Sequence, residues 1–589
     1  MPAISGPLKR TRARYSILLL AVASFAVFTV VNFFHPTSFQ YARPAGISPT
    51  LSSTSSQNLQ PLQLATTRAH PIDQLIRDAE SQFQQLLGEQ SQTLGTATAE
   101  YRRRYQLPPP PNFDRWYEFA KRKGVQLIDE YDTIHHSLLP FWALEPAVIR
   151  ARATEALGFD ENALITLTIR DGQPVKIEGG EKWQREATLE MIDSFVSHLP
   201  DMDVAFNVHD EPRIVVPHDQ LSRMVEIAKE ERMPAAFRNE SPKNSFSSRP
   251  KDMGDGKRIK EVKTTRFNRF AHQPTWSHAR LSCPADSPAR GFSENAADNL
   301  TSYALTDLSF VYNHSAFSDI CMSPSFSNTY GFFDRPNAFN IAQDLIPIFS
   351  QSKISSFQDI LYPSPWYWSG KVAYKERRDK DWESKEDKLY WRGSTTGGFS
   401  RGGGWRRQHR QHFVKKTTVP GKVKIFANEG AENKPDWQPK EARRDDYKDL
   451  IDVRFSHVGH CDPGDCDAQR EFFDIAPMVD QQDAWNYRYL LDIDGNAFSG
   501  RFYAFLESKS LVYKMALFQE WHKDWLKPWV HYIPLSLQGD DWLESVRYFA
   551  GEEEGKIQAP RMALQGRDWA RKVLRNDDLE VWFFRLLLE

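Results

Sequence analysis

Short apolar stretches recur through the C-terminal half of the chain, with amphipathic segments between them. That alternation restricts the fold to an α/β class with largely parallel sheets. KLYW (388–391), VKIF (423–426), YLLDI (489–493), SLVYK (510–514) and WVHYIPL (529–535) have the length and composition of strands. Arg501–Leu506 and Ala516–Leu526 fall between them as expected helices, and the last stretch, 560–589, also reads as helical. Upstream, ALITLTIRDGQPVKI (163–177) predicts a hairpin turning at Asp171-Gly172, and DVAFNV (203–208) a strand ending before His209-Asp210. Residues 73–90 carry Leu75, Ala79, Phe83 and Leu86 near helical spacing.

The chain has 589 residues, 40% of them hydrophobic, enough for two or three domains with sizeable cores. A net charge of −2 argues against a general nucleic-acid binder, which needs a basic footprint. The charge is unevenly placed: Lys9, Arg10, Arg12 and Arg14 precede YSILLLAVASFAVFTVVNFF (15–34), and no acidic residue occurs before Asp73. An uncharged helix of that length would be about 30 Å long, a bilayer core's thickness. A cleaved signal peptide is the competing reading, but the apolar run continues well past Ala21-Val22-Ala23. The basic flank then leaves residues 1–14 cytosolic and the body lumenal, a single-pass type II topology. Residues 35–107 are expected to be a stem, beginning in a Ser/Thr/Gln/Pro-rich stretch, and PPPP (108–111) a stiff entry into the globular part.

All four cysteines lie beyond the expected anchor, where disulfides persist. The preferred pairing is 283–321 and 461–466, one of three connectivities four cysteines allow. His457, His460 and the two nearby cysteines also admit a zinc reading, less simple than a disulfide turn through Pro463-Gly464. Asn239, Asn299 and Asn313 begin N-x-[ST] sequons.

Three strand ends carry candidate chemistry. WRGSTTGG (391–398) is not a P-loop, yet glycines, hydroxyls and Arg392 together suit phosphate oxygens; a solvated loop is the alternative. In LLDIDGNAFSGRF, Ser499 is placed to cap a helix starting near Gly500, with Arg501 in its first turn, where helix capping or an anion site are both open. Asp492-Ile493-Asp494 has the DxD form that can hold Mn²⁺ or Mg²⁺. In FNVHDEPRI, Asp210 follows an apolar strand, where a carboxylate can serve as a base or simply build a turn.

In this order, PDMDVAFNVHDEPRI, KLYWRGSTTGG, YLLDIDGNAFSGRFYAFLESKSLVYK and LKPWVHYIPL resemble the fungal capsule-associated glycosyltransferases, grouped with the Rumi-type protein O-glucosyltransferases in glycosyltransferase family ninety. The resemblance runs from PPPPNFDRWYEFAKRK (108–123) to the C-terminus. It implies a GT-B architecture of two Rossmann-like halves facing a cleft, here 108–370 on the acceptor side and 371–589 on the donor side. It implies inverting transfer from a UDP-sugar, with xylose or glucose leading, to a glycan or protein acceptor. It assigns Asp210 as base and Arg392, Gly393, Ser394, Thr395, Asp494, Gly495, Ser499 and Arg501 to donor binding. It favours no metal, since the animal members lack a true DxD here, with Mn²⁺ the alternative. It implies a Golgi or ER membrane protein. A non-catalytic glycan-binding protein on the same fold and a metal-dependent transferase using Asp492 and Asp494 are the rival readings.

Overall fold

The computed structural model describes residues 60–239, 242–269, 272–291, 297–431 and 433–589. The expected tail (1–14), anchor (15–34) and first part of the stem lie outside them. Among the described residues no helix is long and apolar enough to cross a membrane.

The rest of the expected stem is folded into the body. Helix α1 (Pro71–Gly88) starts at His70, whose ring nitrogen accepts from the Ile72 N–H. His70 also meets Glu544 at 2.8 Å and stacks on Tyr548. Phe83 of α1 packs edge-on against His531 and Trp569. Helix α2 (Leu94–Tyr105) follows, opened by a capping box at Thr93. After a further helix at Phe113–Lys123, helix α3 (Asp132–Leu138) has its first turn tied to Asp524 through the Thr133 N–H and hydroxyl.

The protein is mixed α/β, built on two five-stranded sheets. The first holds β1 (Leu164–Arg170), β2 (Gln173–Glu178), β3 (Met202–Asn207), β4 (Ile348–Ser350) and β5 (Ile360–Leu361), in the order β2-β1-β3-β4-β5. The β1–β2 hairpin turns at Asp171-Gly172 as expected, both residues having positive φ, which the type I′ turn requires. Only β3, β4 and β5 run parallel, so this sheet is mixed. The second sheet is wholly parallel: β6 (Glu386–Ser394), β7 (Ile451–His457), β8 (Tyr487–Ile493), β9 (Leu511–Met515) and β10 (Ile533–Pro534), in the order β7-β6-β8-β9-β10. Its central strands are buried on both faces, which explains their near-continuous apolar run.

Three elements differ from the sequence expectation. VKIF pairs with 437–443 in a separate two-stranded hairpin. WVHYIPL supplies only the two residues of β10, because Trp529 sits at φ +63° and breaks the strand. Ala516–Leu526 forms only a short turn at Trp521–Asp524, since a distant carboxylate takes the N–H groups of Leu517 and Phe518.

Helix α4 (His409–Thr418) follows the glycine-rich loop after β6, and the final helix α5 (Asn576–Leu588) returns to the first sheet. There Phe584 stacks on Phe195 and Phe583 meets Phe206 and Tyr362. Both expected disulfides are present, 283–321 and 461–466.

Candidate active site

Asp210 lies three residues past β3, in a turn built by Asn207. The Asn207 Oδ1 accepts from the His209 N–H at 3.0 Å and its Nδ2 donates to the Glu211 carbonyl at 2.7 Å. Beyond Pro212, the N–H groups of Arg213 and Ile214 donate to the buried Asp359 carboxylate at 2.8–3.0 Å, and Ser350 donates to it as well. The turn is therefore anchored at both ends. Among the described residues no side chain or N–H donates to the Asp210 carboxylate. It is accessible to solvent, yet the protein mass around it pushes its ionisation up from the ordinary aspartate range. The adjacent Glu211 is buried and accepts from the Ala338 N–H; burial first, then the Asp210 charge, push it up to about 8.

At the carboxyl ends of the second sheet, Trp391 of β6 is the centre of the WRGSTTGG segment. Its buried ring has the Arg410 guanidinium 5.5 Å and the Arg501 guanidinium 5.9 Å from its centroid. A Cβ on Gly393 would lie 2.4 Å from that same ring, so only glycine fits. Arg410, from the first turn of α4, donates to the Asp494 carbonyl (2.8 Å), the Ser394 carbonyl (3.0 Å), Thr396 Oγ1 (2.6 Å) and the Ile493 carbonyl (3.1 Å). One cation thereby fastens the ends of β6 and β8 together. Burial pushes its guanidinium down to about 9. Arg501 Nη1 donates to the Arg392 carbonyl at 2.5 Å. Gly495 lies against Arg410, where a Cβ would be 3.2 Å from Nη2.

The loop itself is held hard. Thr395 Oγ1 donates to the Gly459 carbonyl and accepts from the Gly459 N–H. Gly397 has φ +110°, and a Cβ there would lie 2.6 Å from the His409 ring. A freely solvated loop would show neither feature.

Several expected donor contacts are engaged within the protein. Arg392 turns sideways, its Nη2 donating to both carboxylate oxygens of Asp452 of β7 at 2.7 and 2.8 Å and its Nη1 to the Asp452 carbonyl at 2.9 Å. Asp494 is fully buried: one oxygen accepts from Tyr330 Oη (2.5 Å) and from the N–H groups of Leu517 and Phe518. Burial pushes it up to about 6. Asp492 pairs with Lys514, its register partner on β9, at 3.0 Å. One oxygen, Oδ2, of each carboxylate of the DxD triplet is thus turned to protein donors. Ser499 is buried, its carbonyl accepting from Tyr367 Oη, and caps no helix; that helix begins at Phe502 because Gly500 is pinned under the Trp366 indole. The cysteines of the zinc reading are bonded to each other. Among the described residues no three His, Cys, Asp or Glu side chains are grouped to hold a metal.

The two strand-end regions are joined by backbone pairing. Asp494 fixes 517–518, Gln519 pairs with Lys353 in both directions (3.0 and 2.7 Å), and Lys353 Nζ donates to the Asp359 carbonyl (2.8 Å). Asp359 in turn holds the chain just past Asp210. Arg410, Trp391 and Tyr330 are the site residues that sequence reasoning missed.

Residues 333–589 match the family model Glycosyl transferase family 90, a span that holds the second sheet but not Asp210. The chain is 28% identical over 247 residues to O-glucosyltransferase rumi of Drosophila melanogaster, covering 41% of this chain and 53% of that protein. It is 25% identical over 278 residues to Protein O-glucosyltransferase 1 of Rattus norvegicus (44% and 59%), and 30% identical over 105 residues to Protein O-glucosyltransferase 2 of Danio rerio (18% and 20%). The chain thus spans a little over half the length of the first two. Its region 333–589 is thus similar to glycosyl transferase family 90, and the Rumi-type O-glucosyltransferases are among the proteins the chain resembles.

Proposed function

We propose that this protein transfers a sugar, xylose or glucose, from a UDP-sugar to a hydroxyl of a glycan or protein acceptor, with inversion at the anomeric carbon. The architecture assigned is GT-B-like, the two sheets forming the cores of halves that face a cleft. Residues 15–34 are assigned as a type II anchor in the Golgi or ER membrane, with the body lumenal. Sugar transfer to oxygen is supported by the names of the relatives, which are O-glucosyltransferases.

The observation that carries the reading is Asp210, an accessible carboxylate past a strand end, with no protein donor and a raised pKa. A general base needs a free lone pair and an ionisation not far below working pH. In the proposed step the acceptor oxygen bonds to C1 as the bond from C1 to the UDP oxygen breaks. The acceptor's proton passes to Asp210, and the departing diphosphate takes the electron pair. The Thr395, Gly397 and Gly495 N–H groups already donate within the protein, so the Thr396 and Asn496 N–H groups, with the positive charge of Arg410 and Arg501 behind these loops, are the ones suited to meet that charge. Arg392 acts in this scheme by shaping β6. No metal is assigned, because the Asp492 and Asp494 side chains already serve Lys514, Tyr330 and two N–H groups.

The test is UDP release by the full chain from UDP-xylose and UDP-glucose, with and without EDTA, beside Asp210→Asn. The expected result is turnover of one donor, indifference to EDTA, and a loss of about 100-fold or more in the variant with UDP affinity retained. Abolition by EDTA with Mn²⁺ rescue would move the chemistry to the metal-dependent reading. No turnover of any UDP-sugar would favour the non-catalytic one.

A further inference from the structure

The segment 257–269, KRIKEVKTTRFNR, carries six cations against one acid, Glu261. It is laid along β1 and held at intervals. Just before it, Arg170 Nε donates to the Gly254 carbonyl (3.2 Å) and Thr168 Oγ1 to the Gly256 carbonyl (3.0 Å). Further on, the Val262 N–H donates to the Gly158 carbonyl (2.9 Å) and Thr265 Oγ1 to Asn162 Oδ1 (2.7 Å). From Thr168 back to Asn162 the near-extended chain covers roughly 15–20 Å, and the basic ribbon runs beside it. Its far end reaches the Asp210 turn. The Arg213 guanidinium lies 5.3 Å from the Phe267 ring centroid and donates to the Ala163 carbonyl (3.4 Å), and Leu164 pairs with Asn207, which builds that turn. Burial, then the charges of Arg213 and Arg269, push His209, next to Asp210, down to about 4.

Two of the six cations are engaged within the protein, Arg266 with Glu155 and Asp344, and Arg269 with Glu161. Lys257, Arg258, Lys260 and Lys263 are exposed and have no ion pair among the described residues. The nearby acids do not reach them: Asp252 pairs with Arg150, and Asp255 accepts from the Lys257 N–H. A row of free cations that ends at the proposed base suits a chain bearing repeated negative charge. The one aromatic ring of the ribbon, Phe267, is buried, so no flat apolar face is offered to a sugar ring. We infer that the acceptor is a protein whose reacting hydroxyl lies beside an acidic stretch, and that 257–263 docks that stretch. The inference rests on the sugar-transfer reading and narrows its acceptor to a polypeptide.

The test is binding of a short fluorescent Glu/Ser peptide to the full chain, read by anisotropy at low and high salt. A Gln/Ser peptide of equal length and an oligogalacturonate of equal charge run beside it. The Glu/Ser peptide should bind about tenfold or more tightly than the Gln/Ser peptide at low salt, and lose that margin at high salt. Lys260→Glu with Lys263→Glu should abolish the margin, and Lys260→Arg with Lys263→Arg should keep it. Arg377→Glu with Lys380→Glu, at exposed cations outside the ribbon, should also leave it. The inference fails if the two peptides bind alike, or if the Lys260 and Lys263 reversal leaves the margin intact. Tighter binding of oligogalacturonate than of the Glu/Ser peptide would overturn it in favour of an acidic glycan. UDP release by the wild type, measured with no peptide present, reports separately on the transferase reading.

Discussion

Across parallel strands, Arg392 Nη2 donates to both oxygens of the Asp452 carboxylate, at 2.7 and 2.8 Å, while its Nη1 donates to the Asp452 carbonyl at 2.9 Å, both side chains largely buried. The arginine of WRGS, the residue that the sequence pattern offers most readily to a phosphate, is used to join β6 to β7. Arg392→Lys keeps the charge but cannot hold the Asp452 carboxylate and carbonyl with two separate nitrogens, which is expected to cost about 1–3 kcal/mol of folding stability. Asp452→Asn should cost a similar amount. Denaturant unfolding of both variants should show that loss, while calorimetric UDP affinity changes less than about twofold. A large loss of affinity with stability intact would return Arg392 to the diphosphate.

Arg410 carries the opposite expectation. All its hydrogen bonds go to neutral oxygens at the ends of β6 and β8, so its positive charge is left for the loops it shapes. Arg410→Lys cannot span four acceptors with one ammonium. UDP affinity is expected to fall about tenfold or more, together with a lower Tm. Gly397→Ala attacks the same loop from the other side, through positive φ and the His409 ring, and should cost about 1–3 kcal/mol.

The pH dependence of the Asp210 turn has a definite sign. Asp210 must be ionised to accept a proton, and its pKa is raised above 3.8 by the surrounding protein. The acid limb of kcat/KM should therefore lie above the ordinary aspartate value, with activity lost as pH falls through it. Glu211 acts on stability. Its carboxyl, ordinarily near 4.5, stays protonated in the folded protein up to about 8, so folding takes up a proton between those values. Stability from this group is full below about 4.5 and declines as pH rises toward about 8, on the order of 1 kcal/mol per unit. Glu211→Gln should flatten that decline in urea melts taken across the range. A wild type whose Glu211-dependent stability rises over the same interval would refute the assignment.

Much of the fold was legible because its signals are local. The Asp171-Gly172 hairpin, the β8 and β9 strands and the short Cys461–Cys466 loop each lie within a few residues of what defines them. Several of the errors involve distant partners. Arg410 sits in the basic run HRQHFVKK and nothing beside it hints at carbonyls 83 and 84 residues away. Ala516–Leu526 has helical spacing, but Asp494 captures its first N–H groups from 23 and 24 residues upstream. The stretch 60–107 follows a stem-like composition, yet its apolar residues find rings at the far end of the chain, such as Trp569 for Phe83. Asp210 stood out only through the family resemblance, since its distinguishing property, a carboxylate left without a donor in a turn anchored by Asp359, is three-dimensional.

The return of α5 to the first sheet supplies the last prediction. Arg585 is buried with its guanidinium carbon 4.4–5.2 Å from the centroids of Trp116, Phe113, Tyr101 and Tyr131, and its Nε donates to Glu589 at 2.7 Å. A flat cation among aromatic rings uses their faces and edges as a lysine ammonium cannot. Arg585→Ala removes that cation and opens a cavity among the rings, at an expected cost of about 3–5 kcal/mol. Arg585→Lys should recover less than half of it. Because α5 also packs Phe583 on Phe206 of β3, the strand that leads to Asp210, transfer activity should fall with stability while UDP affinity, which the proposed function assigns to the other sheet, holds. Unfolding curves, UDP calorimetry and UDP-release rates on the two variants separate these effects. Equal losses of affinity and activity would mean that α5 supports the donor half as well.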